Sequence, residues 1–128
     1  MGNGTSIGRV RGLGSSHHGA HHWLLQRFTA IGNLALTIFL VVSFVLMPER
    51  TYESLSVWVA KPLTAAALAL LIISTFWHAR MGLQVLMEDY VQDASTRFAV
   101  VALLNVAAFG GGAFGLFCII RLALGGAA

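Results

Sequence analysis

The sequence predicts an all-α integral membrane protein with three transmembrane helices. Three observations carry that prediction: the composition, three uncharged apolar runs of bilayer length, and the shortness of the segments between them. Of 128 residues, 57% are hydrophobic and 10% are charged, against roughly 45–50% apolar and 25% charged in soluble domains. The mean hydropathy is +0.78. With 8 Lys+Arg and 5 Asp+Glu, a compact water-soluble fold would expose a large apolar surface and aggregate. Leu, Val, Ile, Phe and Ala dominate where a disordered chain would carry Pro, Ser and Glu.

A hydrocarbon core of about 30 Å needs roughly 20 apolar residues as a helix. The first run, Phe28 to Met47, carries no charge and ends at Pro48, Glu49 and Arg50. The second opens at Pro62, a residue suited to the first helical turn. It stays uncharged to Ala79 and continues past Arg80 to Met87, before Glu88 and Asp89 mark water. The third, Phe98 to Ile120, is uncharged and closed by Arg121. Backbone groups in lipid must be satisfied within the segment, so each run reads as a helix. The predicted spans are therefore 28–47, 62–87 and 98–120, in an anchor domain of residues 28–128 behind an N-terminal arm of residues 1–27. The first span starts too late and runs too long for a secretory signal, which predicts an uncleaved chain. Loops of about 14 and about 10 residues leave no room for a catalytic domain. Three helices also make a poor closed bundle, so intramembrane partners are expected.

The formal charge of +3 and a pI near 9.8 come from singly scattered residues: Arg9, Arg11, Arg27, Arg50, Lys61, Arg80, Arg97 and Arg121. No basic patch forms, which argues against nucleic acid as a partner. Arg9, Arg11, Arg27 and Arg97 on one side face Arg50, Lys61 and Arg121 on the other, a narrow bias that predicts a cytoplasmic N-terminus. Cys118 lies in an apolar run and reads as a small packing residue.

Polar residues inside a span are costly and therefore informative. Span one offers Asn33 and hydroxyls able to bond their own helix backbone; span three offers Asn105, which reads as interhelical glue. The second span differs. At 100° and 1.5 Å per residue, His78, Gly82, Val85 and Asp89 fall at roughly 0°, 40°, −20° and 20°, one narrow stripe with Asp89 about 16 Å along the axis from His78. A histidine above a glycine notch suits an axial haem ligand. It equally suits a histidine bonded to a neighbouring helix, with Gly82 serving close packing and Tyr90 standing in the interfacial aromatic belt. Arg80, about 200° around the helix from His78, has no acidic residue within four positions; it must snorkel, pair with another subunit or reach solvent. His17-His18-Gly19-Ala20-His21-His22 could offer metal-binding pairs if helical, although solvated histidines in an arm are commoner. Gly111 and Gly115 form a GxxxG suited to close helix contact.

The segment His78-Ala79-Arg80-Met81-Gly82, with Asp89-Tyr90 at offsets 11 and 12 from the histidine, resembles the second helix of the small membrane anchor subunit of succinate dehydrogenase. His21-His22-Trp23-Leu24-Leu25-Gln26-Arg27-Phe28-Thr29-Ala30-Ile31 resembles that family's entry to its first helix, where Arg-x-Thr-Ala-Ile recurs. The two motifs cover about a fifth of the chain. Length, three spans and short loops match as well. The resemblance implies a noncatalytic subunit that packs with a second three-helix cytochrome b anchor subunit, sharing one haem b and a ubiquinone site. A flavoprotein subunit and an iron–sulfur subunit would dock on the cytoplasmic face and oxidise succinate. His78 would be an axial haem ligand, and its ring would bind the haem iron. Arg27 would serve the haem propionates and the quinone pocket, with His21 nearby. Tyr90 would donate to a quinone carbonyl, and Asp89 would organise proton delivery beside it. A fumarate reductase anchor shares these parts. The lack of an Arg- and Ser-rich transit segment points to a bacterial inner membrane. The competing expectations are a three-span scaffold or transport component without a redox cofactor, and an anchor that keeps the quinone pocket without haem.

Overall fold

The computed structural model describes residues 19–125, which form four helices: α1 (Gly19–Val45), α2 (Tyr52–Ala60), α3 (Pro62–Tyr90) and α4 (Ala94–Ala123). No strand occurs among the described residues. α1, α3 and α4 are long and apolar enough to cross a membrane. Each extends past its apolar run, because a helix can protrude into the interfacial layer where polar residues are tolerated. The extension of α1 matters most for the candidate site: it carries His21, His22 and Arg27 on the same helix that enters the membrane.

α2 falls within the segment expected to be a loop. Its start is fixed by a capping box: the Thr51 hydroxyl accepts from the Ser54 amide at 3.2 Å, and Ser54 Oγ accepts from the Thr51 amide at 3.0 Å. Trp58 fastens α2 to the end of α1. Its indole N–H donates to Ser43 Oγ at 2.8 Å, and its ring meets Phe44 edge-on at 6.1 Å between centroids. Arg50 closes the C-terminus of α1, donating to the Val45 carbonyl at 3.1 Å, where the helix leaves carbonyls unpaired. Lys61 then ends α2 and precedes Pro62 at the first position of α3.

α3 is the central element. α1 and α4 each pack along it, and they do not approach one another among the described residues. The face toward α4 is shaped by the glycines of α4. A Cβ built on Gly111 would stand 2.6 Å from Phe76 Cε1, and one on Gly115 would stand 3.2 Å from Ile72 Cγ2. The GxxxG motif thus seats two α3 side chains one turn apart, the close contact expected of it. The polar anchor of this face is Arg80, whose Nε–H donates to Asn105 Oδ1 while its guanidinium lies over the Trp77 and Phe109 rings at 5.5 and 5.7 Å. Arg80 therefore pairs within its own chain, and Asn105 is the interhelical glue the sequence suggested.

Little is buried: Leu40, Val59, Ala67 and Met81 are the apolar core, with Thr64 beside them. Most large apolar side chains, Phe28, Ile31, Leu103 and Phe114 among them, point outward, as lipid or protein neighbours require. α3 and α4 meet through residues 91–93, where Asp93 caps α4 by accepting from the Thr96 amide at 2.7 Å. That bond holds the Asp93 carboxyl below its ordinary value.

Two outcomes follow from these contacts. Gly111→Ala must push the Phe76 ring aside and should destabilise the α3–α4 pair by about 1–3 kcal/mol, whereas Gly110→Ala meets open space within 4 Å and should melt like the parent in detergent. Because the Asp93 carboxyl titrates lower folded than unfolded, its cap is fully effective above the unfolded value of about 3.9 and is lost as pH falls through the folded value. Hydrogen exchange at the Thr96 amide should accelerate only in that acid range, and Asp93→Asn should remove the pH dependence while keeping a cap.

Candidate functional site

The site is built on the face of α3 opposite Arg80. Helical spacing stacks Ser74, His78 and Gly82 on one stripe, and α1 lies against it. The Thr29 hydroxyl of α1 is 3.0 Å from His78 Nδ1. The same hydroxyl donates back to its own helix, 2.8 Å from the Leu25 carbonyl and 3.1 Å from that of Gln26. Ser74 Oγ donates to the Thr29 carbonyl at 3.4 Å. His78 is half-buried, and Nε2 makes no hydrogen bond among the described residues.

One turn further, Gly82 makes room for α1 itself. A Cβ there would stand 3.3 Å from Gln26 Nε2, so the notch holds the Gln26 amide. Beyond it a cleft of about 510 Å³ opens between the N-terminal end of α1 and the C-terminal end of α3, with His22, Trp23, Gln26, Gly82 and Glu88 among its walls. Gln84 Nε2 donates to Glu88 Oε1 there at 2.8 Å. Two buried side-chain oxygens of α1, Gln26 Oε1 and Asn33 Oδ1, have no hydrogen-bond partner among the described residues, a costly state in an apolar surrounding.

The remaining candidate residues cluster at the same end of the molecule. Arg27 is exposed and stacks over the Trp23 ring at 5.4 Å. His21 is exposed. Asp89 and Tyr90 close α3; Asp89 is exposed and Tyr90 is 78% exposed. The structure brings His78 together with Thr29, and Arg27 with Trp23; no direct bond joins Arg27, Asp89 and Tyr90. His17 and His18 lie outside the described residues, and the described residues hold no group of three His, Cys, Asp or Glu side chains fit for a metal ion. Thr29 is the residue whose role the sequence left unread, although its hydroxyl was recognisable as one able to bond its own helix.

A haem would ask two things of a histidine: a neutral imidazole nitrogen with a free lone pair, and a fixed ring plane. With Nδ1 3.0 Å from the Thr29 hydroxyl and no hydrogen bond at Nε2 among the described residues, His78 fits both when Nδ1 carries the ring hydrogen.

A family model described as succinate dehydrogenase/fumarate reductase transmembrane subunit matches residues 1–112. The chain is 31% identical over 112 residues to the succinate dehydrogenase hydrophobic membrane anchor subunit of Rickettsia bellii, covering 82% of this chain and 89% of the relative. Proteins of the same description from Rickettsia felis and Rickettsia conorii are 31% and 26% identical, over 85% and 92% of this chain and 82% and 86% of their own lengths. No solved structure matches.

The Arg80–Asn105 bond is open to a direct test. Asn105→Leu strands a half-buried guanidinium on α3, and loss of a hydrogen bond to a charged group costs about 1.5–3 kcal/mol. The variant should melt earlier in detergent while any chromophore on the opposite face of α3 keeps its spectrum.

Proposed function

The chain belongs to the succinate dehydrogenase/fumarate reductase transmembrane subunit family, and we propose that it anchors a succinate dehydrogenase to the membrane while holding part of a haem b site and a ubiquinone site. In this reading it is noncatalytic by itself. A second three-helix cytochrome b anchor would cover its outward apolar faces and share the haem, while flavoprotein and iron–sulfur subunits would dock at the end where α1 begins and α3 ends. The proposed setting is a bacterial inner membrane, with that end cytoplasmic.

The observation that carries the haem assignment is the state of His78. A histidine serving only as helix glue would account for Nδ1 and leave Nε2 without a partner among the described residues, at membrane depth. A histidine serving as a ligand uses both nitrogens, one for iron and one for orientation. When bound, the haem supplies one-electron redox chemistry. This chain's residues would hold it: His78 through Nε2, and Arg27, stacked over the Trp23 ring, through a fork of donors suited to a propionate, with His21 as a further candidate at the same end of α1. About 16 Å along α3, Asp89 and Tyr90 stand where water reaches. Reduction of a quinone by two electrons consumes two protons, so its pocket belongs at such a boundary. There the Tyr90 hydroxyl donates to a quinone carbonyl, and the Asp89 carboxylate holds and passes protons.

The test is a visible difference spectrum, succinate-reduced minus air-oxidised, on the complex that purifies with this chain. A sharp cytochrome b band is the expected outcome, lost or altered in His78→Ala. Tyr90→Phe should keep the band and slow quinone reduction about tenfold, the rate equivalent of one hydrogen bond of about 1.4 kcal/mol. A colourless complex under both succinate and dithionite would overturn the haem assignment. A chain that purifies without any dehydrogenase subunit would overturn the anchor role.

A further inference from the structure

A threonine hydroxyl has one proton and two lone pairs. At Thr29 the Leu25 carbonyl stands nearest, at 2.8 Å, with the Gln26 carbonyl at 3.1 Å on the same side. Carbonyls only accept, so the contact with either one consumes the single proton. The hydroxyl is then left with lone pairs alone toward His78 Nδ1, at 3.0 Å, and that contact is a hydrogen bond only if Nδ1 carries the hydrogen. A neutral imidazole with its proton on Nδ1 has a bare lone pair on Nε2. The back-bond of Thr29 to its own helix thereby decides which nitrogen of His78, on another helix, is available to bind a metal.

We propose that Thr29 is a positioning residue for the haem site: its hydroxyl fixes His78 as the Nδ1–H tautomer, orients the ring, and raises the donor strength of Nε2. The inference rests on the reading of His78 as an axial ligand. Its electronic consequence has a definite sign. An acceptor on Nδ1–H pushes electron density into the ring and makes Nε2 more basic; a more basic ligand favours ferric over ferrous iron and lowers the midpoint potential. Ser74 supports the arrangement by donating to the Thr29 carbonyl at 3.4 Å, so the stripe that carries His78 also holds the backbone of the residue that orients it.

The experiment compares Thr29→Val, Thr29→Ser and His78→Ala in the intact complex, reading haem per complex and the haem midpoint potential. Valine keeps the branched shape and removes the hydroxyl. It should raise the potential and weaken haem retention about 10–100-fold, the usual effect of deleting the partner of a metal-ligating histidine. Serine keeps the hydroxyl and should restore both readings. In the unmodified complex, electron–nuclear double resonance should find an exchangeable proton on the axial ring that is slow to exchange with D2O. Parent-like haem content and potential in Thr29→Val, with haem lost in His78→Ala, would overturn the role of Thr29 and leave His78 as ligand. Fast exchange of the ring proton would overturn it independently, even where the valine variant fails to assemble. An unaltered spectrum in His78→Ala would overturn the ligand assignment itself, and this inference with it.

Discussion

Helices in lipid gain nothing from hiding apolar side chains against each other, because the surrounding tails are equally apolar. α3 must therefore hold each neighbour by fit or by hydrogen bonds, and it uses a different combination on each side. Toward α4, Phe76 and Ile72 settle on Gly111 and Gly115, and Arg80 reaches Asn105. Toward α1 the contact is hydroxyl to imidazole and hydroxyl to carbonyl. The Thr29–His78 contact that helps join α1 to α3 is thus made by the candidate ligand itself, so adhesion and the geometry of the candidate site are linked.

The two polar groups of mid-α3 share a stretch of three residues without interfering. His78 and Arg80 sit about 200° apart, and the structure gives each a different neighbouring helix. A guanidinium on the histidine's own face would oppose a second positive charge, such as that of ferric iron. Placed behind α3, with Trp77 and Phe109 against it, the charge is kept from the candidate ligand by the body of the helix.

The three spans were legible because uncharged runs of bilayer length have few other uses. Their ends were less so. His21, His22 and Gln26 interrupt the apolar pattern although the helix continues through them, since polar residues are tolerated at the interface. α2 was hidden because its capping box pairs Thr51 with Ser54 instead of with the acidic or amide residue that usually marks one. His78 stood out as a titratable group inside a span, yet its partner did not: Thr29 lies 49 positions away, and one sequence carries no record of which residues meet across helices. Arg80 and Asn105 were each visible as the lone charge and the lone amide of their spans, and only the packing of α4 on α3 joined them.

The scarcity of buried side chains has a consequence for how much of the protein exists at all. A chain whose apolar core among the described residues amounts to Leu40, Val59, Ala67 and Met81 is stabilised further by any neighbour that binds the folded form alone. By mass action, that contribution grows with the logarithm of the covering species' concentration relative to its dissociation constant. A protein neighbour that satisfied Gln26 Oε1 and Asn33 Oδ1 would add such a contribution, and the abundance of the intact fold would then follow that neighbour's supply. Under that condition, matched synthesis of the two chains would become a requirement of stability, imposed by geometry on gene expression.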